Sequence, residues 1–131
     1  MTLWMLDTNV VGHLLRGDQA VRTQLEKVSV GSVCLSVVTL GEIHYGLARR
    51  SNPALQNMVR QLLMRMRIEP WTEGVAETYG QLRASMEAKG RPLGALDMQI
   101  AAHASYLQAW LVTNDKAFRQ VPDLQVVDWR A

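Results

Sequence analysis

Short apolar runs alternating with helical stretches predict an α/β domain of three layers, α/β/α, around a central, mainly parallel, five-stranded sheet. Three observations carry this. Five runs have strand character, at residues 3–6, 33–38, 67–71, 110–113 and 124–127. The segments between them repeat apolar residues at three- and four-residue spacing, the mark of helices buried along one face. The connections are short, which in an alternating chain implies parallel strands with helices packed on both faces.

Size and composition agree with that architecture. At 131 residues the chain fits one domain, 1–131, large enough to bury a core. The apolar fraction of 48% and charged fraction of 20% are those of an ordinary globular protein and exclude a disordered chain. No segment approaches the roughly 20 apolar residues of a membrane helix, and no basic leader precedes a signal core, so a cytoplasmic location is expected. The single cysteine, Cys34, lies in an apolar run and should pack as a small buried hydrophobe. The net charge of +2 is a weak pull toward polyanions. Its distribution says more: residues 43–68 hold no acid but carry Arg49, Arg50, Arg60, Arg65 and Arg67. That basic stretch is either a solvated helical face or a phosphate-contacting surface.

In chain order, the first strand hands over to a helix bearing Val10, Val11, Leu14 and Leu15, for which Thr8 or Asn9 would be the cap. Gly17 ends it, and Asp18 caps a second helix with Val21, Leu25 and Val28 on its apolar side. The β-branched run 33–38 is the second strand. Thr39 then caps a helix with Leu40, Ile43, Tyr45 and Leu47 inward and Glu42 in its first turn. Asn52 followed by Pro53 opens the next helix, with Leu55, Met58, Val59, Leu62, Leu63 and Met66 as its stripe. After the third strand, a long helix over 73–88 presents Val75, Ala76, Tyr79, Leu82 and Met86. The glycines and proline of 89–94 make a loop of fixed shape that delivers Asp97 to the helix over 96–107. The fourth strand ends at Thr113, a short helix containing Phe118 follows Asn114 and Asp115, and the fifth strand closes the sheet.

Four acids stand out by position. Asp7 ends the first strand, Glu42 lies on the helix after the second, Asp97 opens the helix after the loop, and Asp115 follows the fourth strand. Taken singly, Asp7, Asp97 and Asp115 could be helix caps and Glu42 a solvated helix residue, since an acid at a helix N-terminus gains about 0.3–1 kcal/mol. Taken together they gather at the carboxyl edge of a parallel sheet, where ligands of such folds bind. Two carboxylates about 5 Å apart repel by roughly 3 kcal/mol at an effective dielectric near 20. A divalent ion would relieve that repulsion, and oxygen ligands alone select Mg²⁺ or Mn²⁺ over zinc. His13, His44 and His103 lack paired ligand spacing and are expected at the core edge or surface. No Gly-x-Ser-x-Gly elbow or phosphate-binding Gly-x-x-x-x-Gly-Lys loop occurs.

The motifs Met5-Leu6-Asp7-Thr8-Asn9, Val38-Thr39-Leu40-Gly41-Glu42-Ile43-His44-Tyr45-Gly46, Gly90-Arg91-Pro92-Leu93-Gly94-Ala95-Leu96-Asp97 and Val112-Thr113-Asn114-Asp115 resemble, in order, those of the PIN-domain ribonucleases. The likeness is closest to the VapC toxins of bacterial toxin–antitoxin pairs, and it runs nearly end to end, including Asp128-Trp129. It implies a PIN-like fold and a Mg²⁺- or Mn²⁺-dependent endoribonuclease. Asp7, Glu42, Asp97 and Asp115 match the family's metal-binding acids, and Asn9 and Thr113 match polar residues that support the site. The resemblance further implies a homodimer silenced by a cognate VapB antitoxin, which supplies the DNA contacts of the complex. It also implies cleavage of tRNA, in this subgroup the anticodon loop of initiator tRNA, with inhibition of translation.

In this reading Asp7 and Asp97 hold the ion most directly, while Glu42 and Asp115 hold it or its waters, with Asp115 the lesser contributor. Arg49, Arg50 and Arg91 would hold phosphates outside the acidic centre. A haloacid-dehalogenase-like phosphatase also places an aspartate after its first strand, but needs a second two residues on, where Asn9 stands. A non-enzymatic receiver-type signalling domain would use Thr113 and Lys116, yet needs an acidic pair after strand one and a phosphoacceptor where Pro70-Trp71 lies. A DNA-binding role for the chain alone lacks a helix-turn-helix.

Overall fold

The structure is a computed structural model that describes residues 1–91 and 93–131. Five strands, β1 (Trp4–Leu6), β2 (Val33–Ser36), β3 (Arg67–Glu69), β4 (Trp110–Val112) and β5 (Val126–Val127), pair in the order β3-β2-β1-β4-β5, and every pairing is parallel. The helices are α1 (Thr8–Leu15), α2 (Gln19–Lys27), α3 (Val37–Arg49), α4 (Pro53–Leu63), α5 (Glu73–Ala88) and α6 (Ala95–Leu107). A short 3₁₀ turn (Lys116–Gln120) links β4 to β5. The chain winds outward from β1 through β2 to β3, then crosses back to β4 on the other side of β1. The topological switch point therefore falls between β1 and β4, with Asp7 and Thr113 as the residues that leave those two strands.

Strand alternation builds two cores. Leu6, Val33, Leu35 and Val112 face Val10, Val11, Leu14 and Val21 of α1 and α2, with Leu62 and Leu63 of α4 packed against them. Met5, Cys34 and Leu111 point the other way, onto Met86 of α5 and Met98, Ile100, Ala101 and Ala104 of α6. Cys34 is the buried hydrophobe its surroundings suggest, and burial lifts its thiol to about 12. The third helix belongs to neither layer alone: Val38 packs with the α6 side and Ile43 with the α1 side, so α3 runs over the carboxyl edge of the sheet.

Several local expectations need correction. The strand over 33–38 ends at Ser36, because its hydroxyl accepts the Val38 N–H and caps α3 three residues before the expected Thr39. Thr39 is thus a buried residue within the first turn and Glu42 sits in the second. Asp7 itself, rather than Thr8 or Asn9, caps α1. Tyr45, Met58 and Ala76, expected inward, are exposed. His103, expected at the edge, is fully buried.

The loop after α5 begins as the glycine pattern suggests. Gly90 adopts φ +67°, its N–H bonds to the Glu87 carbonyl, and Arg91 N–H reaches back to Met86, closing a left-handed helix end. Pro92, part of the expected loop, lies outside the described residues. No described helix is long and apolar enough to cross a membrane.

Candidate active site

Asp7 is the fixed point of the site. It is 2% exposed at the end of β1, and both carboxylate oxygens are engaged: Oδ1 accepts the Thr8 N–H and Oδ2 the Thr113 hydroxyl, each at 2.8 Å. Thr113, buried at the end of β4, also accepts the Asp115 N–H at 3.0 Å. The two central strands are thereby tied through one carboxylate, and the same threonine orients the loop that carries Asp115. Asp115 is half-buried and its Oδ1 accepts the Ala117 N–H at 2.9 Å, capping the 3₁₀ turn. Its cap role and its place beside Asp7 coexist.

Asp97 arrives from the opposite direction, in the first turn of α6, whose N-cap, Gly94, offers no side-chain cap. Unpaired N–H groups at that helix start favour an anion there. Even so, burial holds the Asp97 carboxyl above its usual range, and the nearby Asp7 and Asp115 charges push the same way. Burial raises Asp7 as well; hydrogen bonds from Thr113 and Thr8 oppose it, and Asp115 adds repulsion. Three of the four acids are therefore electrostatically coupled at the switch point.

Glu42 reaches the edge by another route. It is half-buried on α3, one turn beyond Thr39, whose Oγ1 accepts the Thr8 hydroxyl at 3.3 Å. It is not among the charges that perturb Asp7 or Asp97. Asn9 is exposed in the first turn of α1, and none of the described hydrogen bonds uses its side chain. Arg49, Arg50 and Arg91 are exposed, and the Arg49 guanidinium lies 5.4 Å from the centre of the Tyr45 ring.

The donor set suits a hard divalent cation. The described ion pairs, Arg67–Glu69, Arg83–Glu87 and Arg130–Asp18, leave all four acids without a protein cation. Only oxygen donors converge, and the raised pKa values of Asp7 and Asp97 mark buried negative charge that a cation would offset. Among the described residues, no three acids already surround one point that an ion could fill.

Motif position placed Asp7, Asp97, Asp115 and Thr113 at the sheet edge where the structure has them, but gave no sign of Ser36 and His103, which join α3 to α6 through a 2.8 Å contact. The available signals were a serine ending an apolar strand and a histidine inside the run Ile100-Ala101-Ala102-His103-Ala104.

Comparison with known proteins agrees with this geometry. Residues 4–124 match the PIN domain, which sets aside the phosphatase and receiver readings. The tRNA(fMet)-specific endonuclease VapC of Shigella flexneri is 32% identical over 132 residues, covering 98% of this chain and 99% of that protein. The structure of DNA-bound VapBC from Salmonella typhimurium superimposes with a TM-score of 0.92 at 29% identity, covering 98% of this chain and 99% of its match. That of VapBC2 from Rickettsia felis, bound to a promoter DNA fragment, gives 0.90 at 29% identity, with the same two shares. PIN nucleases as a class depend on divalent metals. The chain belongs to the PIN-domain family, in its VapC ribonuclease branch.

Proposed function

We propose that this protein is the toxin of a VapBC-type pair, an endoribonuclease that cuts tRNA with Mg²⁺ or Mn²⁺ held by Asp7, Asp97, Glu42 and Asp115. The observation that carries the reading is the gathering of Asp7, Asp97 and Asp115 at the β1/β4 switch point, with none of them in an ion pair among the described residues. Each Asp7 oxygen spends one lone pair on Thr8 or Thr113 and keeps another for an ion. Asp97 and Glu42, on separate helices and only half-buried, adjust their rotamers around that anchor. Thr113 supports the site through Asp7, and Asn9 supports it from the first turn of α1. When bound, the ion supplies a lowered pKa for the attacking water and a counter-charge for the phosphoryl oxygens. Glu42 and Asp115 orient that water, while Arg49, Arg50 and Arg91 hold flanking phosphates at the rim.

The names of the relatives support initiator tRNA as the substrate. Cleavage in its anticodon loop, with loss of translation as the cellular outcome, completes the proposed reading. The solved VapBC complexes support a cognate VapB-type antitoxin as partner, and two of them are bound to DNA. A toxin homodimer, action in the cytoplasm and DNA contact only through the antitoxin belong to the same proposal. The test is incubation of the purified protein with total tRNA in Mg²⁺, in EDTA, and as Asp97→Ala. Cleavage in Mg²⁺ alone is expected; cleavage that survives both chelation and substitution would sink the metal-nuclease reading.

A further inference from the structure

Glu42 on α3 and Asp97 on α6 belong to helices separated by β3, α4 and α5 in the chain. The two helices nevertheless meet at one polar contact within the core. His103 lies six residues after Asp97 on α6, is fully buried, and places Nδ1 2.8 Å from Ser36 Oγ. Ser36, also fully buried, ends β2 and caps α3, its Oγ accepting the Val38 N–H at 3.1 Å. Trp71 packs edge-on against the imidazole, with ring centres 5.7 Å apart.

The proton positions follow from the neighbours. His103 Nε2 is buried with no hydrogen-bond partner among the described residues, and the Pro70 carbonyl acts on the ring as an acceptor, which favours a proton on the nitrogen that does not face Ser36. With Nε2 protonated and the ring neutral, Nδ1 is an acceptor, and the Ser36 hydroxyl donates to it. Burial keeps the ring neutral, against the opposing pull of Glu69 and the Pro70 carbonyl. Polarity therefore runs in one direction, from the Val38 N–H to Ser36 Oγ and from its hydroxyl to His103.

As a source of stability this arrangement is poor. An orphaned buried donor costs about what a neutral hydrogen bond returns, and an apolar side chain could fill the same layer without either. What the contact supplies is direction: it fixes the Ser36 rotamer and so the start of α3 against α6.

We propose that His103 is a positioning residue that, through Ser36, sets where Glu42 stands relative to Asp97. The proposal rests on those two acids being ligands, as above. A second tie, Thr8 to Thr39, orients the same helix against α1, so α3 is held at two polar points three residues apart.

The test compares His103→Leu, which fills the space without an acceptor, with His103→Asn, whose Oδ1 can stand where Nδ1 stood. Calorimetric titration with Mn²⁺, cleavage kinetics on tRNA, and amide exchange at Val38 are read on each full-length protein. His103→Leu is expected to weaken Mn²⁺ binding and lower kcat by about tenfold, leave KM for RNA unchanged, and speed Val38 exchange; His103→Asn restores all of these. If His103→Leu does not fold, Ser36→Ala reads the tie from its other end, with the same losses expected. Wild-type and His103→Leu proteins that bind Mn²⁺, cut RNA and exchange Val38 alike would overturn the role, as would a His103→Asn protein as impaired as His103→Leu. A wild-type protein that neither binds Mn²⁺ nor cuts RNA would overturn the site reading and this role with it, an outcome distinct from failure of the tie alone.

Discussion

The two halves of the acidic edge are built differently. The Asp7–Thr113–Asp115 half hangs on the ends of two adjacent paired strands, and its three hydrogen bonds fall between 2.8 and 3.0 Å around a buried carboxylate. The Asp97–Glu42 half comes from two helices, with half-buried side chains positioned indirectly through Ser36, His103, Thr8 and Thr39. A parallel sheet fixes strand ends to each other by backbone pairing, whereas helices above its edge are free to tilt unless side chains tie them. The first half can therefore serve as an anchor and the second as the part that adjusts.

Substitutions should separate the halves, and the largest effect belongs to the anchor. Asp7→Asn should reduce divalent-dependent cleavage on the order of 1000-fold, measured as initial rates on tRNA, because it removes the charge to which the others adjust. Asp97→Asn should lose about 100-fold in the same assay. A larger loss at Asp97 than at Asp7 would reverse the assignment of anchor and adjuster. Thr113→Val, nearly isosteric, should slow cleavage about tenfold and cost about 2 kcal/mol in a urea titration, since it removes a buried hydrogen bond to a charged group. Asp115→Asn should matter least, a few-fold, because asparagine still caps the 3₁₀ turn.

The smallest effect is on stability and has a defined sign. Folding raises the Asp7 and Asp97 pKa values above 3.8, so the folded, metal-free protein binds protons more tightly than the unfolded chain. Its stability should rise as pH falls from neutral through those raised values, and the gain should end near pH 4, where the unfolded carboxyls also protonate. Asp7→Asn should melt a few degrees above wild type at pH 7 without metal, with the difference shrinking toward pH 4. A difference independent of pH would mean that the buried charge at the anchor is not its cause.

The anchor half was the more legible in sequence. An apolar run that ends in Asp7, or in Thr113 and Asp115, announces both a strand and what stands at its end, because strand direction fixes where the next residue goes. The alternation of short strands and helices likewise carried the sheet's parallel character and the layers on either side. Helix starts were harder. Val37 and Val38 have β-branched side chains that suit a strand, yet they open α3 because the Ser36 hydroxyl takes the Val38 N–H. Local propensity could not weigh that bond against two valines, and the misplaced cap put Glu42 in the first turn where the structure has it in the second. The His103 contact spans 67 residues of sequence and joins two types that also occur apart for many reasons, so no local pattern could reveal it.

The aromatic residues give the molecule two separate optical reporters. Trp4 packs against Trp110 and Trp129, with ring centres 6.1 and 5.8 Å away, on the face of the sheet shared with α1. Trp71, the fourth indole, stands on the opposite face against Tyr79 and His103. A protein reduced to Trp71 by three Trp→Phe changes would emit from the α5/α6 side alone, so a loosening of that layer could be timed by fluorescence while the other face stays dark.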